Sequence, residues 1–281
     1  MKSPRFSIII PTFNAEKTLQ NCLESIEKQS YNSYQVVIVD GISTDNTLSI
    51  AKRFCDDNPS FTLTSEHDRG IYDAMNTGLK LATGEWLYFL GSDDTLFDQN
   101  VLEDISREIN LIDSEVIYGN VLMTGESKWN LDGVIFNGAY DLPLLLDYNI
   151  CHQAIFYKKS VFESLGIFNL DYPVSSDYDF NLRCFANTRM THVAVTVANY
   201  YLGGFSSQYE DKAFHNKRGA ILYQYFKWRI FSHSFLGSRM YLRQAALRKN
   251  SALRIEKRAI CMLAYLKLKL QDSLNRLFFY E

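Results

Sequence analysis

The sequence predicts an α/β protein in which a mostly parallel sheet is flanked by helices and followed by a basic helical extension. Three observations lead to this prediction. Strand-like apolar runs alternate with segments of helical spacing up to about residue 110. The runs are continuously apolar, as in strands that are covered on both faces. The last part of the chain is basic and has helical spacing throughout.

Four strands and three helices are predicted in the N-terminal part. The helix after the first strand has apolar residues at every third or fourth position from Leu19 to Ile26. The next helix begins near Thr47, and the third keeps helical spacing from Ile71 to Ala82. This βαβ rhythm implies parallel strands with right-handed crossovers. The four strands are Phe6–Pro11, Gln35–Asp40, Phe61–Ser65 and Trp86–Leu90.

Polar residues follow each of these predicted strands. Thr12, Asp40, Asp68 and Asp93 each lie just past the end of one strand. Because ligands of parallel sheets bind beyond the carboxyl ends of the strands, we expect these four residues to converge on one rim of the sheet.

The pattern is less regular after residue 110. A short helix is predicted at Asp179–Phe185, and helix dominates from Phe214 onward, with leucines at steps of three and four between Leu263 and Leu277. Further strands are predicted at Val116–Tyr118, Val134–Phe136, Ala154–Tyr157 and His192–Val197.

The charge divides the chain at about residue 211. Residues 1–211 hold 14 basic and 29 acidic side chains, whereas residues 212–281 hold 15 basic and 3 acidic ones. We therefore expect a globular domain over 1–211 and a basic, amphipathic helical tail over 212–281, with different partners. The tail is expected to meet an anionic partner or to pack between subunits of a homo-oligomer. Docking of its charges on the acidic domain is the structural alternative.

The composition excludes several classes of protein. With 281 residues, 47% of them hydrophobic and 22% charged, the chain is globular rather than disordered or fibrous. Its five cysteines are scattered and form no C-x-x-C pair, which argues against a disulfide framework or a cysteine zinc site. No signal peptide is recognisable, and no apolar stretch approaches the ~20 residues that cross a bilayer. A soluble or peripheral protein of the cytoplasm is expected.

Two pairs of carboxylates point to chemistry. Asp93 and Asp94 end an apolar strand, where adjacent carboxylates repel unless a positive charge lies beside them. A hard divalent cation, Mg²⁺ or Mn²⁺, held by carboxylate and substrate phosphate oxygens would supply this positive charge. Neither of the glycine-rich phosphate-binding motifs G-x-x-x-x-G-K-[ST] and G-x-G-x-x-G occurs, so a substrate diphosphate would be neutralised chiefly by the metal. A turn with an aspartate cap is the structural alternative. Asp177 and Asp179 form the second pair, which a helix N-terminus alone would also explain.

Five segments carry a resemblance to a known family: F-S-I-I-I-P-T-F-N at 6–14, V-D-G-I-S-T-D-N-T at 39–47, D-R-G-I-Y-D-A-M-N-T-G at 68–78, G-E-W-L-Y-F-L-G-S-D-D at 84–94 and S-D-Y-D-F-N-L-R at 176–183. In order and spacing they resemble family 2 glycosyltransferases, which are inverting enzymes of the GT-A fold, a Rossmann-like sheet flanked by helices. The subgroup that the sequence most resembles builds bacterial surface polysaccharides, including O-antigen and capsule units. The resemblance covers about residues 5–205 and leaves 212–281 without a family motif.

The resemblance implies roles for residues of this sequence. Asp177 matches the general base, with Asp179 or Arg183 left to support the fold or orient the base. Asp94 matches the metal ligand. His152, Gln153 and Gly204, the last in a G-G-F-S segment, resemble positions around the acceptor and the diphosphate, although a buried structural histidine is an alternative for His152. The implied donor-binding residues are Pro11, Thr12, Phe13, Asn14, Asp40, Asp68, Arg69 and Asp93.

The resemblance also implies substrates and partners. The donor would be a UDP-sugar with Mn²⁺ or Mg²⁺, and the acceptor a saccharide carried on a lipid diphosphate. Such an acceptor lies at the membrane, which favours lipid over nucleic acid as the partner of the basic tail. The Q-x-x-R-W signature of processive synthases is absent, so one sugar is expected to be added per encounter. The sequence departs from the family at Gly41, Gly91 and Ser176, where many members carry an acidic residue.

Two other functions stay open. A sugar-phosphate nucleotidyltransferase has a similar sheet, but needs a glycine-rich loop with Arg and Lys where this chain has Pro11–Asn14. A non-catalytic scaffold that attaches to membranes through the tail would bind no donor at the acidic sites. A nucleotide-dependent dehydrogenase is disfavoured because its glycine fingerprint is missing.

Overall fold

The computed structural model describes residues 3–125, 130–204, 209–248 and 253–278. The strands are β1 Phe6–Thr12, β2 Tyr34–Asp40, β3 Phe61–Ser65, β4 Trp86–Phe89, β5 Thr95–Leu96, β6 Val116–Thr124, β7 Ile135–Phe136, β8 Ile155–Lys158 and β9 Met190–Tyr201. The helices are α1 Leu19–Glu27, α2 Thr47–Asp57, α3 Ile71–Leu81, α4 Val101–Leu111, α5 Leu142–Asp147, α6 Lys159–Leu165, α7 Ser176–Asn187, α8 Lys212–Phe226, α9 Arg239–Leu247 and α10 Ile255–Phe278.

The described strands form one nine-stranded sheet in the order β3-β2-β1-β4-β8-β6-β9-β5, with β7 added beside β6. Strands β1 to β4 pair in parallel, as the sequence predicts. Strand β8 then runs antiparallel to both β4 and β6, and a short 3₁₀ turn, His152–Ala154, leads directly into it. The predicted fold class, α/β with a parallel-rich sheet, is confirmed.

The two faces of the sheet are buried under helices. Every residue of β1 is buried, which explains its unbroken β-branched run. The apolar stripe of α1 packs on one face with Phe6, Ile8 and Ile10, whereas α3 packs on the other face with Ile9. Helices on opposite faces of the sheet therefore pack against alternate residues of the same strand.

The predicted tail continues the core of the domain. Helix α8 begins at Lys212, one residue past the charge boundary, and Lys227 at its end has a left-handed φ of 50°. Phe214, Phe226 and Leu242 belong to the same hydrophobic cluster as Phe180 of α7. The charge boundary at residue 211 is thus not a boundary of the hydrophobic core.

Helix α10 turns most of its leucines outward. Cys261, Ala264 and Leu268 are fully buried, while the predicted stripe faces away from the core. The exposed members of that stripe are Leu263 (59% exposed), Leu266 (51%), Leu270 (63%) and Leu274 (44%). The side chain of Leu277 lies outside the described residues. Within the described parts of the chain, no helix has the length and apolar character to span a bilayer.

Candidate active site

The carboxyl ends of β1, β2 and β4 meet at one edge of the sheet. Thr12 and Asp40 end β1 and β2 opposite each other, and the Gly41 N–H donates to the Thr12 carbonyl at 2.9 Å. The register that pairs Ile9 with Phe89 places the end of β4 next to β1. We call Thr12, Asp40, Asp68 and Asp93 the strand-end rim. Thr12 and Asp40 are paired, Asp68 lies beside Gly41, and Asp93 follows the neighbouring strand β4.

Asp40 is fully buried at this rim. Its Oδ2 accepts hydrogen bonds from the Ser43 N–H at 3.1 Å and from the Ser65 hydroxyl at 2.7 Å. Its Oδ1 is buried and has no hydrogen-bond partner among the described residues. A buried carboxylate oxygen left over in this way suits an N–H or O–H donor of a ligand.

Asp68 and Phe13 border Gly41. A Cβ built at Gly41 would lie 2.6 Å from Asp68 Oδ2 and 3.5 Å from a ring carbon of Phe13. Gly41, a departure from the family pattern, therefore makes room for Asp68. Phe13 is 64% exposed, so its ring is available to stack on a planar ligand.

Three other residues that the resemblance implies in binding the sugar donor make structural contacts in this fold. Pro11 is buried within β1. Asn14 has a φ of 49°, and its side-chain oxygen accepts the Thr44 N–H at 2.9 Å. It thereby holds the turn that follows β2. Arg69 forms an exposed ion pair with Asp73 at 3.1 Å.

Asp93 and Asp94 differ sharply in environment. Asp94 is buried, and its Oδ1 accepts the Tyr201 N–H at 2.8 Å while its Oδ2 accepts from Gln153 Nε2 at 2.7 Å. Burial and the neighbouring Asp93 raise the pKa of Asp94 to about 7. Asp93 is only partly buried, and its Oδ2 lies 3.3 Å from a Cβ built at Gly204. Asp94 thus ties the loop to β9, and Asp93 is the carboxylate that is open to a ligand.

The loop that carries Asp93 and Asp94 has no room for a side chain at Gly91, and it is the candidate site for a metal ion. A Cβ at Gly91 would lie 2.5 Å from Asp94 Oδ2 and 2.8 Å from Asp93 Oδ1, so a side chain would displace both carboxylates. Among the described residues, no three His, Cys, Asp or Glu side chains are grouped to hold a metal ion. Mg²⁺ and Mn²⁺ are often held by one or two carboxylates plus substrate phosphates. Asp93 therefore fits a cation that a diphosphate completes, not one held by protein ligands alone.

Asp177 lies at the N-terminus of α7 with both carboxylate oxygens engaged. The Tyr72 hydroxyl donates to Oδ1 at 2.6 Å, and Asn149 Nδ2 donates to Oδ2 at 2.7 Å. Asn149 in turn accepts from Asn181 Nδ2 at 2.8 Å, and Asn181 accepts from the Tyr157 hydroxyl at 2.7 Å. This buried chain of neutral donors fixes the orientation of the carboxylate.

Asp179 faces away from Asp177, as their spacing on a helix requires. Its Oδ1 accepts from the Tyr225 hydroxyl of α8 at 2.8 Å, and Arg183 lies 3.1 Å from Oδ2. Burial raises the pKa of Asp179 and Arg183 opposes the rise. Asp179 joins α7 to α8 and does not line the cavity described next.

A cavity of about 680 Å³ borders Asp177; we call it the Asp177 cavity. His152 and Gln153 line it together with Asn149. Further lining side chains are Met123, Phe136, Ile150, Tyr178, Tyr200, Tyr209, Glu210, Asp211 and His215.

The 3₁₀ turn His152–Ala154 connects the cavity to the strand-end rim. His152 Nδ1 lies 3.8 Å from Asp177 Oδ2, and its Nε2 is buried with no hydrogen-bond partner in the described part of the chain. Burial lowers the pKa of His152, although Asp177 and Asp93 both oppose this, so the ring is neutral at pH 7. The next residue, Gln153, binds Asp94. One short turn therefore contacts both acidic pairs. Gly204 adjoins Asp93, while Phe205 and Ser206 of the G-G-F-S segment lie outside the described residues.

Sequence reasoning missed the residues that hold Asp177. Tyr72 lies inside the D-R-G-I-Y-D-A-M-N-T-G segment, and its position there was the available signal. Asn149 has no motif around it. Asp211 was also missed: its carboxylate accepts the N–H groups of Val174 and Ser175, each at 3.0 Å, and caps α8 through the Phe214 N–H.

The parallel-rich sheet flanked by helices, with acidic residues beyond its strand ends, is the architecture of GT-A folds, and solved structures of this class share it. Residues 7–166 match the family model for glycosyl transferase family 2, and the chain belongs to this family. A curated relative from Mycobacterium tuberculosis, a PGL/p-HBAD biosynthesis glycosyltransferase, is 44% identical over 222 residues, which are 76% of this chain and 84% of that protein. Glycosyltransferase GlyG of Streptococcus pneumoniae is 33% identical over 46% of this chain and 42% of its own length.

Solved structures share the fold at low identity. S. aureus TarS 1–349 in complex with UDP-GlcNAc superimposes with a TM-score of 0.63 at 18% identity, covering 95% of this chain and 73% of TarS 1–349. The mannosyltransferase PcManGT from Pyrobaculum calidifontis, in complex with GDP-Man and Mn²⁺, gives a TM-score of 0.57 at 21% identity, covering 100% of this chain and 82% of that one.

Proposed function

We propose that this protein is an inverting, non-processive hexosyltransferase that moves a sugar from a UDP-sugar to a saccharide acceptor in the synthesis of bacterial surface polysaccharide, such as O-antigen or capsule. One observation carries the proposal: Asp177 borders a ligand-sized cavity, and the turn at His152–Ala154 joins it to Asp94, the neighbour of the rim residue Asp93. A base on one side and a nucleotide site on the other are what sugar transfer needs.

The geometry supports a single displacement. An acceptor hydroxyl in the Asp177 cavity attacks the anomeric carbon of the donor, and its proton passes to a carboxylate oxygen of Asp177. The new C–O bond forms on the face opposite the diphosphate, whose bond to the sugar breaks, so the configuration inverts. A divalent cation bound with the donor would neutralise the leaving diphosphate, and Asp93 is the residue placed to hold it.

The nucleotide assignment rests on Asp40 and Phe13. The free Oδ1 of Asp40 suits the N–H of a uracil, and the exposed Phe13 ring suits stacking on a base. The structural neighbours are described with UDP-GlcNAc and with GDP-Man, which supports a nucleotide sugar and leaves the base to experiment.

The acceptor is proposed to be a saccharide on a lipid diphosphate. The name of the mycobacterial relative places that protein in PGL/p-HBAD biosynthesis, and its 44% identity makes that process the second candidate. Both candidates require sugar transfer to an acceptor hydroxyl, so the base and the cavity have the same task in each.

We also propose that the tail holds the enzyme on the inner face of the cell membrane. The exposed leucines of α10 lie next to Lys267, whose Nζ donates to the Phe231 carbonyl at 3.1 Å, and Trp228, 70% exposed, stacks on Phe231. Leucine, tryptophan and lysine side by side are typical of helices that lie in a membrane interface. Each basic residue near an anionic leaflet contributes about 1 kcal/mol, and the excess of acidic residues in 1–211 favours attachment through the tail.

Donor binding tests the proposed reaction. Calorimetry with UDP, and with GDP for comparison, in the presence of Mn²⁺ should show binding of UDP, and a panel of UDP-sugars should be hydrolysed slowly or transferred to added acceptors. Binding of neither nucleotide would support the non-catalytic scaffold, and preference for GDP would overturn the uridine assignment. Retained configuration at the transferred sugar would overturn the inverting mechanism.

Liposome sedimentation tests the membrane proposal. We expect Leu266→Gln/Leu270→Gln to weaken binding to anionic vesicles at all salt concentrations, and Lys267→Gln/Lys269→Gln to weaken it only at low salt. Two variants that bind like the wild type would contradict membrane attachment through α10. If the leucine variant instead dissociates an oligomer, the stripe is a subunit interface.

A further inference from the structure

The Asp177 cavity is negatively charged. Its described lining includes the carboxylates Asp177, Glu210 and Asp211 and the histidines His152 and His215, but neither lysine nor arginine. Arg218 reaches the Tyr178 hydroxyl at 2.8 Å and does not itself line the cavity. A cavity with this lining attracts cations and repels phosphates and carboxylates.

Neutral groups hold the two buried carboxylates. Asp177 accepts from Tyr72 and Asn149, and the donors to Asp211 among the described residues are backbone N–H groups. His152, beside Asp177, has its pKa lowered by burial and adds no positive charge at pH 7. Since neutral donors stabilise a carboxylate without cancelling its charge, the charge remains to act on a ligand in the cavity.

The remaining walls are apolar or aromatic. Phe136 of β7 is 43% exposed, and Tyr178, Tyr200, Met123 and Ile150 also line the cavity. Flat aromatic faces pack against the C–H faces of sugar rings and against aryl groups. The volume of about 680 Å³ lies within the ordinary range for small-molecule sites.

We propose that the Asp177 cavity is a subsite for uncharged glycosides, and that at least one neutral ring separates the reacting hydroxyl from any phosphate or carboxylate of the acceptor. This inference rests on the proposed function and narrows its acceptor: the lipid diphosphate lies outside the cavity. The rejection of anions is an energetic penalty against wrong acceptors, because a like charge would be partly desolvated beside Asp177.

A matched pair of ligands tests this inference. Phenyl β-glucoside and phenyl β-glucuronide differ by a CH₂OH group against a carboxylate, and their binding to the full-length protein with UDP present can be measured by saturation-transfer NMR. We expect the glucoside to bind at least tenfold more tightly. Equal or tighter binding of the glucuronide, or no millimolar binding of either ligand, would overturn the proposal.

Three variants locate the effect. Glu210→Gln, at an exposed position of the lining, should narrow the gap between the two ligands severalfold by improving glucuronide binding. Phe136→Ala should weaken the glucoside severalfold, and Glu163→Gln, exposed on α6 outside the lining, should change neither ligand. An unchanged gap in Glu210→Gln together with unchanged glucoside binding in Phe136→Ala would place the glycosides elsewhere.

The proposed function is tested separately in the same samples. UDP binding and donor hydrolysis report on the strand-end rim, whereas the two glycosides report on the cavity. Loss of UDP binding with the glucoside preference intact would remove the proposed reaction and leave the neutral-glycoside subsite.

Discussion

The strand-end rim and the Asp177 cavity are joined by one turn but are built in different ways. In the rim, Thr12 and Asp40 are the last residues of β1 and β2, so the hydrogen bonds of the sheet set their positions, and Asp68 and Asp93 lie in the short loops that follow β3 and β4. Asp177 is held by Tyr72, 105 residues away, and by Asn149, 28 residues away. A rim set by the backbone should tolerate changes in side-chain packing, whereas a base positioned by distant side chains should not.

The largest expected effect is a variant in the Asp177 cavity that loses sugar transfer while UDP binding at the strand-end rim is kept. Asp177→Asn should lower the rate of sugar transfer by at least ~10²-fold, since loss of a general base typically costs 10²–10⁴-fold, while UDP binding stays near normal. Calorimetry and an initial-rate assay on the same preparation check both. Asp179→Asn is the matched control, because that residue contacts Arg183 and Tyr225 instead of the cavity. If the control loses transfer and Asp177→Asn keeps it, the base has been assigned to the wrong face of α7.

At the strand-end rim, variants of Asp93 and of its neighbour Asp94 should differ in how strongly they weaken Mn²⁺ binding. We expect Asp93→Asn to weaken Mn²⁺ binding in the presence of UDP at least tenfold, because Asp93 is the more accessible carboxylate. Asp94→Asn should affect Mn²⁺ less, because the Asp94 oxygens already accept from Tyr201 and Gln153. Electron paramagnetic resonance of bound Mn²⁺ measures both. The reverse order would restore Asp94 as the metal ligand that the family resemblance implies.

The pH dependence of stability should reveal the buried Asp94. Burial raises its pKa from 3.8 to about 7, so between these values the folded state holds the proton more tightly than the unfolded chain does. The contribution of Asp94 to the free energy of unfolding therefore falls as pH rises from about 4 to 7. Asp94→Asn cannot ionise, and its stability relative to wild type should improve by about 1–3 kcal/mol between pH 5 and pH 8. Urea unfolding without metal measures this, and an unchanged slope would contradict it.

The smallest expected effect sharpens the contrast between backbone and side-chain positioning. Tyr72→Phe removes one hydrogen bond to Asp177, worth about 0.5–1.5 kcal/mol, so kcat should fall roughly 3–10-fold with the donor KM unchanged. Tyr31→Phe, outside the cavity, serves as the control. An equal loss of donor affinity would show that the two regions are not independent.

The strand-end rim could be predicted from the sequence, whereas the surroundings of Asp177 could not. The strands and helices up to Phe89 could be predicted because apolar periodicity is a local signal, and rim residues such as Asp40 follow directly from strand ends. Asn149 could not be predicted, since only the folded chain brings it to Asp177. The tail was expected to be a separate unit because charge is a surface property, yet Phe214 and Leu242 share the main core. Charge composition alone does not report which side chains are buried.

The contacts between α7 and α8 also set an order of events during synthesis of the chain. Tyr225 of α8 binds Asp179, and Asp211 holds the segment that leads into α7. About 40 residues separate the end of α7 from the end of α8, and at roughly 5–20 residues per second their synthesis takes about 2–8 s. Strands β1 to β4 are complete before that interval, whereas the segment around Asp177 still lacks the helix on which it packs. The strands that carry Thr12 and Asp40 are thus synthesised before the contacts between α7 and α8 can form.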